Sequence, residues 1–126
     1  MKYRFNDGRL DEYVIEYNSL VREYEHIDSK LSGYSFHHIL PRHAFPELCD
    51  DPRNHLFLPV MLHIRMHYLL WKHDWKYCAA FWFCYVYFHK NFDYNISEQD
   101  VERLKADMRQ YRKMKKELKY EQASHD

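Results

Sequence analysis

Hydrophobic residues recur at steps of three and four along two long parts of the chain, a spacing that predicts amphipathic helices. The first helix is expected over about residues 10–31, and Gly33 is expected to end it because glycine readily adopts the left-handed conformation. The second is expected to begin after Ser97, a favourable N-cap residue, and to run to about Tyr120. Both ends of the chain are therefore predicted to be helical.

Between these helices lie two short apolar segments, residues 34–39 and 56–58, which predict β-strands. Residues 41–54 contain three prolines and predict a connecting loop. Pro59 suits the first turn of a helix whose pattern continues to about Trp71. Two strands, a long connection and a helix together predict a ββα unit.

Aromatic residues occupy nearly every face of the segment that follows, and such a helix belongs in a core or in an interface between subunits. A homodimer formed through residues 75–89 is therefore one expectation. The predicted fold class is α+β and predominantly α, in a single domain. Its parts are an N-terminal helix over residues 10–31, a ββα core over residues 34–72 and C-terminal helices over residues 73–120 of a domain spanning 1–126.

The composition agrees with a compact, helix-rich protein, because 46% of the residues are hydrophobic, 18% are aromatic and only two are glycine. Lys and Arg number 19, as do Asp and Glu, so the whole chain is not a polycation. Residues 101–120 nevertheless carry eight basic residues against three acidic ones. This basic helix face is either solvated or in contact with the phosphates of a nucleic acid. Its candidate nucleic-acid-binding residues are Arg109, Arg112, Lys113 and Lys116.

Three features of the sequence bear on the compartment. The three cysteines form no CxxC pair, which favours reduced, mostly buried thiols over a disulfide framework. The N-terminus shows no apolar leader segment. The most apolar run, residues 77–88, is shorter than the roughly 18–20 residues that span a bilayer. A soluble, cytoplasmic protein without membrane contact is therefore expected.

Histidines concentrate between His37 and His67, which raises the question of what chemistry needs imidazoles at this spacing. His63 and His67 lie four residues apart, so one helical turn places both imidazoles on one face, where they can bind one ion. A third ligand is expected from the pair His37 and His38. Because successive strand residues face opposite sides, one of the two is expected to bind the metal while the other remains free to accept a proton.

A cation beside a histidine base suits the attack of water on a phosphodiester, because the cation neutralises the developing charge and the base activates the water. The amide of Asn54 can orient the base, and Arg42 or Arg53 can contact a phosphate. Arg42 can instead pair with Asp50 or Asp51. These residue types favour hydrolysis of a nucleic-acid backbone.

Three blocks of this region, HHILPR, DDPRNHLFL and HIRMHYLL, resemble the HNH (ββα-metal, His-Me finger) endonucleases, in the HHIIPR-type branch of phage and mobile-element proteins. The resemblance covers about residues 34–72. It implies an enzyme that binds DNA and nicks or cuts it with one divalent ion, Mg²⁺ or Mn²⁺ in many members and Zn²⁺ or Ni²⁺ in others. A phage-encoded member would act in the cytoplasm of a bacterial host.

Residue by residue, the resemblance assigns His37, His63 and His67 as metal ligands and His38 as the general base. It assigns Asn54 as the residue that positions the base. The remaining histidines are expected to be loop or partly buried residues without a catalytic role: His26, His43, His55, His73, His89 and His125.

Two alternatives use the same residues. The first is a non-catalytic, zinc-stabilised module that binds nucleic acid or protein, in which the three histidines hold a structural ion. Structural zinc sites have four protein ligands, whereas only three good histidine ligands are evident, which favours an open catalytic site. The second is an RNA-cleaving enzyme on the same core, because such a site would attack either sugar-phosphate backbone.

Overall fold

The fold is predominantly helical, with a single antiparallel pair of strands in the part of the chain that the structure describes, which confirms the predicted fold class. The two compact units of the chain are Met1–Leu69 and Leu70–Asp126. All the predicted metal ligands and catalytic residues belong to the first unit. The structure is a computed structural model that describes residues 2–27, 31–42, 44–88 and 96–125.

Helix α1, Glu12–Tyr24, is the first element of the first unit. It begins after Asp11, whose side chain accepts a hydrogen bond from a backbone N–H of the first turn at 3.3 Å. The helix ends well before residue 31, because its buried stripe ends at Val21 and the turn beyond it buries no further residue. The prediction that Gly33 ends this helix is therefore wrong. Gly33 instead takes a φ of +80° in the turn before the first strand.

Strand β1, Tyr34–His38, pairs antiparallel with strand β2, His55–Pro59. In this register His38 lies opposite His55, and Phe36 lies opposite Phe57. Because side chains alternate along a strand, the two faces of the sheet carry different residues. The inner face carries Ser35, His37, Leu56 and Leu58, and the outer face carries Phe36, His38, His55 and Phe57.

The connection between the strands contains two short 3-10 helices, Pro46–Leu48 and Pro52–Asn54. Tyr3 anchors the second of these, because its N–H donates to the Arg53 carbonyl at 2.8 Å and its hydroxyl donates to Asp51 Oδ2 at 2.9 Å. The Arg53 guanidinium lies 4.8 Å from the centre of the Tyr3 ring. The N-terminal segment thus fixes the turn that leads into β2.

Helix α2, Val60–His73, follows β2 directly and carries both His63 and His67. Its exposed side is tied to α1 by an ion pair between Arg65 and Glu16, with Nε 2.7 Å from Oε1. An exposed pair of this kind contributes little stability by itself. It links α1 to α2, the helix that carries His63 and His67.

The second unit begins with the last turn of α2 and continues with helix α3, Cys78–Phe88, and helix α4, Glu98–His125. Asp74 ends the α2 pattern with an extended backbone, and its side chain accepts a hydrogen bond from the N–H two residues later at 3.0 Å. Ser97 caps α4 by accepting from the Asp100 N–H at 3.0 Å, as predicted. The helix extends past Tyr120, its predicted end.

The rings of α3 point in several directions. Phe81 is buried, whereas Phe83 and Tyr87 are 59% and 62% exposed. The homodimer expected through residues 75–89 stays a prediction, and residue 89 lies outside the described residues.

All three cysteines are free, and burial raises the pKa of Cys78 to about 11 and that of Cys84 to about 12. Both thiols are therefore protonated at neutral pH. Among the helices that the structure describes, none combines the length and the apolar character needed to cross a membrane.

Candidate metal centre and active site

Three imidazoles converge in the first unit: His37 from β1, and His63 and His67 from α2. Their ring centres form a nearly equilateral triangle with sides of 4.8, 4.8 and 4.7 Å. The nitrogens available as ligands all lie within 4.8 Å of one another, and the two Nε2 atoms of α2 are 2.9 Å apart. The three predicted ligands are therefore close enough to hold one metal ion.

Two neighbours fix the rings of this triangle. The Ser35 hydroxyl lies 2.7 Å from Nδ1 of His63, which leaves Nε2 of that ring turned towards His67. The Tyr17 ring of α1 lies 5.7 Å from the His37 ring, so α1 covers the centre from that side. Sequence reasoning missed Ser35, although its position two residues before His37 places it on the same strand face.

Burial determines the charge of these imidazoles. It lowers the pKa of His37 well below its usual range, and the neighbouring imidazoles lower it further. Burial likewise lowers the pKa of His63 to about 4, with the charge of His38 as a second cause. Both rings are therefore neutral at pH 7, the state in which an imidazole nitrogen can bind a metal.

The buried Nδ1 of His37 provides a test of whether a metal fits this site. His37 is 3% exposed, and its Nδ1 makes no hydrogen bond with any residue that the structure describes. Buried polar atoms seldom lack a hydrogen-bond partner. A buried imidazole that lacks one and lies among two further imidazoles therefore fits the ligand set of a cation. Nitrogen ligands suit Zn²⁺ and Ni²⁺, whereas Mg²⁺ prefers oxygen.

His38 extends from the opposite face of the sheet and is held by one nitrogen. Its Nε2 lies 3.1 Å from the carbonyl oxygen of Cys49. Because a carbonyl only accepts, Nε2 carries the proton and Nδ1 has the lone pair. Burial lowers the pKa of His38 although this hydrogen bond opposes the shift, so the ring is neutral at pH 7. Nδ1 of His38 forms no hydrogen bond within the described ranges, which leaves it able to accept a proton.

Asn54 is fully buried and holds the loop that supplies this carbonyl. Its Nδ2 donates to the carbonyls of Leu40 and Leu48 at 3.1 and 3.2 Å, and its Oδ1 accepts from the Leu40 N–H at 2.7 Å. The amide therefore binds backbone on both sides of the connection rather than the ring of His38. Asn54 and His38 are linked through the loop, since Leu48 directly precedes Cys49.

His55, for which the sequence predicts no catalytic role, lies opposite His38 in the sheet. It is the first residue of β2, and its Nε2 lies 2.8 Å from the same Cys49 carbonyl that holds His38. The two ring centres are 5.5 Å apart. The cross-strand register is the signal that could have identified His55, because it pairs with His38 directly. His26 is exposed, His73 is buried in the second unit, and His43 and His89 lie outside the described residues.

The two arginines of the first unit that are predicted to contact phosphate, Arg42 and Arg53, have different surroundings. Arg42 is exposed, forms no ion pair with Asp50, Asp51 or any other described residue, and lies close enough to His38 to lower its pKa. Arg53 is instead paired with Asp51, with Nη2 2.9 Å from Oδ2. The ion pair lowers the pKa of Asp51.

The four basic residues proposed on α4 are all exposed. The guanidinium of Arg112 lies 6.0 Å from the ring centre of Trp82, at the outer limit of a cation–π contact. Contact of nucleic acid with these residues stays a prediction: Arg109, Arg112, Lys113 and Lys116.

Comparison of the chain with family models, with curated proteins and with solved structures gives no match. The resemblance of residues 34–72 to HNH endonucleases therefore depends on the motif blocks themselves. The site itself offers three imidazoles within 4.8 Å of one another, two of them kept neutral at pH 7 by burial, and a fourth imidazole held by a carbonyl through one nitrogen.

Proposed function

We propose that the protein is a metal-dependent endonuclease of the HNH type, which hydrolyses phosphodiester bonds of DNA by nicking or double-strand cleavage. One observation carries this proposal. The triangle of His37, His63 and His67 is accompanied by His38, the residue that follows His37 in strand β1, and the tautomer of His38 is fixed by the Cys49 carbonyl. This combination supplies a cation site and a separate proton acceptor, the two groups that the attack of water on a phosphodiester requires.

His37, His63 and His67 would hold one divalent cation. When bound, the cation supplies positive charge that neutralises the phosphate and the departing oxygen. Within the described residues the ligand group has three members and no fourth, which favours an open site over a closed structural one. The donor set favours Zn²⁺ or Ni²⁺ among the candidates, with Mn²⁺ and Mg²⁺ as the weaker matches.

His38 would act as the general base. Its Nδ1 accepts a proton from water while the water oxygen forms a bond to phosphorus, and the bond from phosphorus to the departing deoxyribose oxygen breaks. The Cys49 carbonyl keeps the proton on Nε2 and stabilises the imidazolium that results. His38 directly follows His37 in strand β1, so the proposed base and one proposed ligand are carried by the same strand. Asn54 would act as a positioning residue through the loop.

Exposed cations would supply the affinity for DNA. Arg42, which is exposed and follows His38 by four residues, and the exposed basic residues of α4 would contact phosphates without reading the sequence. Binding of this kind weakens steeply as salt rises. A second copy joined through the exposed rings of α3 would bring two nicking sites together, which would turn a nickase into a double-strand cutter.

The experiment that tests this function is cleavage of supercoiled plasmid by metal-stripped protein, re-supplied with Zn²⁺, Ni²⁺, Mn²⁺ or Mg²⁺. Relaxed or linear product that requires an ion, from a protein whose circular dichroism is unchanged by stripping, is the expected result. His63→Ala should be inactive with every ion, whereas His26→Ala, the same substitution at an exposed histidine outside the site, should cleave normally. Intact plasmid with every ion would contradict the proposal. Global unfolding on stripping would instead indicate the structural-zinc module.

A further inference from the structure

The outer face of the sheet carries four rings in mutual contact. Phe36 is central: its ring centre lies 4.9 Å from His38, 4.7 Å from His55 and 5.5 Å from Phe57. His38 and His55 are 5.5 Å apart. We call these four residues the ring cluster. Phe36 is 39% exposed, so the cluster presents an aromatic surface to solvent.

We propose that the ring cluster binds an unpaired base of single-stranded DNA by stacking. Every base has an aromatic face, so stacking on Phe36 would add affinity without sequence preference. In an intact duplex the base faces are covered by their neighbours, and the cluster could not reach them. This inference rests on the proposed nuclease function and adds that its DNA substrate is bound more tightly where bases are unpaired, as they are at locally opened sites of supercoiled DNA.

Two observations favour a DNA strand as the occupant of this face. First, His38 belongs both to the ring cluster and to the proposed reaction, so a phosphate placed at His38 brings the adjoining base to the cluster. Second, Arg42 is exposed and follows His38 by four residues, and its positive charge complements the phosphate that accompanies each base. A purely structural role for these rings, as cross-strand pairs, requires neither the exposure of Phe36 nor the adjacent cation.

The test measures binding without cleavage, by fluorescence anisotropy in EDTA. The probes are a labelled 12-nucleotide oligothymidine and an abasic strand of the same length and charge. The oligothymidine should bind about ten-fold more tightly, because stacking on an aromatic side chain contributes about that much per base. Phe36→Leu should remove most of this difference, and Phe36→Trp should keep it. Tyr120→Leu, which removes an exposed ring outside the cluster, should leave it unchanged.

Equal binding of the two strands by the wild type would overturn the inference, as would the absence of binding to either. An unchanged preference in a folded Phe36→Leu variant would do the same. These outcomes are separate from the plasmid assay. A protein that prefers bases but cleaves nothing loses the nuclease proposal and keeps this one, and a nuclease that binds both strands equally does the reverse.

Discussion

The two faces of the small sheet carry histidines in opposite environments. On the inner face His37 is 3% exposed, covered by α1 and enclosed by two further imidazoles. On the outer face the next residue, His38, is partly exposed, with one nitrogen held by a carbonyl and the other open. Strand alternation thus gives two neighbouring histidines the different surroundings that the proposed ligand and the proposed base require. Burial, rather than residue type, distinguishes the two.

The largest effect is expected from removing a ligand of the inner face. His67→Ala leaves two imidazoles, so metal affinity should fall by at least about 100-fold, beyond the loss typical of residues that only support a ligand. Plasmid cleavage should fall with it. Isothermal titration with Zn²⁺ measures the first effect, with His26→Ala as the matched control. Unchanged affinity in His67→Ala would exclude this residue from the ligand set.

The next largest effect is expected from Asn54→Ala. This residue holds the connection between β1 and β2, which supplies the Cys49 carbonyl to His38. The substitution leaves two carbonyls and one N–H without their buried partner. Each such group costs about 1–3 kcal/mol, so urea unfolding should show a loss of at least about 2 kcal/mol. Cleavage should fall as well, because the Cys49 carbonyl loses its support. A variant with wild-type stability would show that the loop does not depend on this amide.

Ser35→Ala tests a residue that orients a proposed metal ligand, His63, rather than a ligand itself. The hydroxyl at 2.7 Å fixes the ring of His63, so its loss should weaken Zn²⁺ binding by about ten-fold, with the fold retained. Ser35→Thr keeps the hydroxyl and should recover most of the affinity. The idea fails if Ser35→Ala and the wild type bind Zn²⁺ equally well.

A further prediction concerns the metal-free protein and pH. His63 has a pKa of about 4 in the folded state against an ordinary value of 6.5, and the pKa of His37 is also lowered. Between pH 6.5 and about 4, these histidines bind more protons in the unfolded chain than in the folded protein. The free energy of unfolding should therefore decrease as pH falls from 6.5 to about 4. Urea titrations across this range measure it, and His63→Gln should show a shallower decrease. A flat profile in the wild type would contradict the burial argument.

Much of this site could be predicted because its signals are local. The four-residue spacing of His63 and His67 and the adjacent pair of His37 and His38 specify a helix face and a strand alternation. The carbonyl of Cys49 could not be predicted, since a backbone group leaves no trace in residue type. The role of His55 depends on the register of two strands joined by a long connection, and the early end of α1 depends on where burial stops.

The separation of ligand and base is tested most directly with metal-loaded His38→Ala, by measuring bound metal and the rate of plasmid cleavage in the same preparation. We expect metal content equal to that of the wild type and a cleavage rate lower by at least about 100-fold, the loss typical of a removed general base. Cleavage at a rate near that of the wild type would show that His38 is not the base. Loss of the metal would show that the two faces do not act separately.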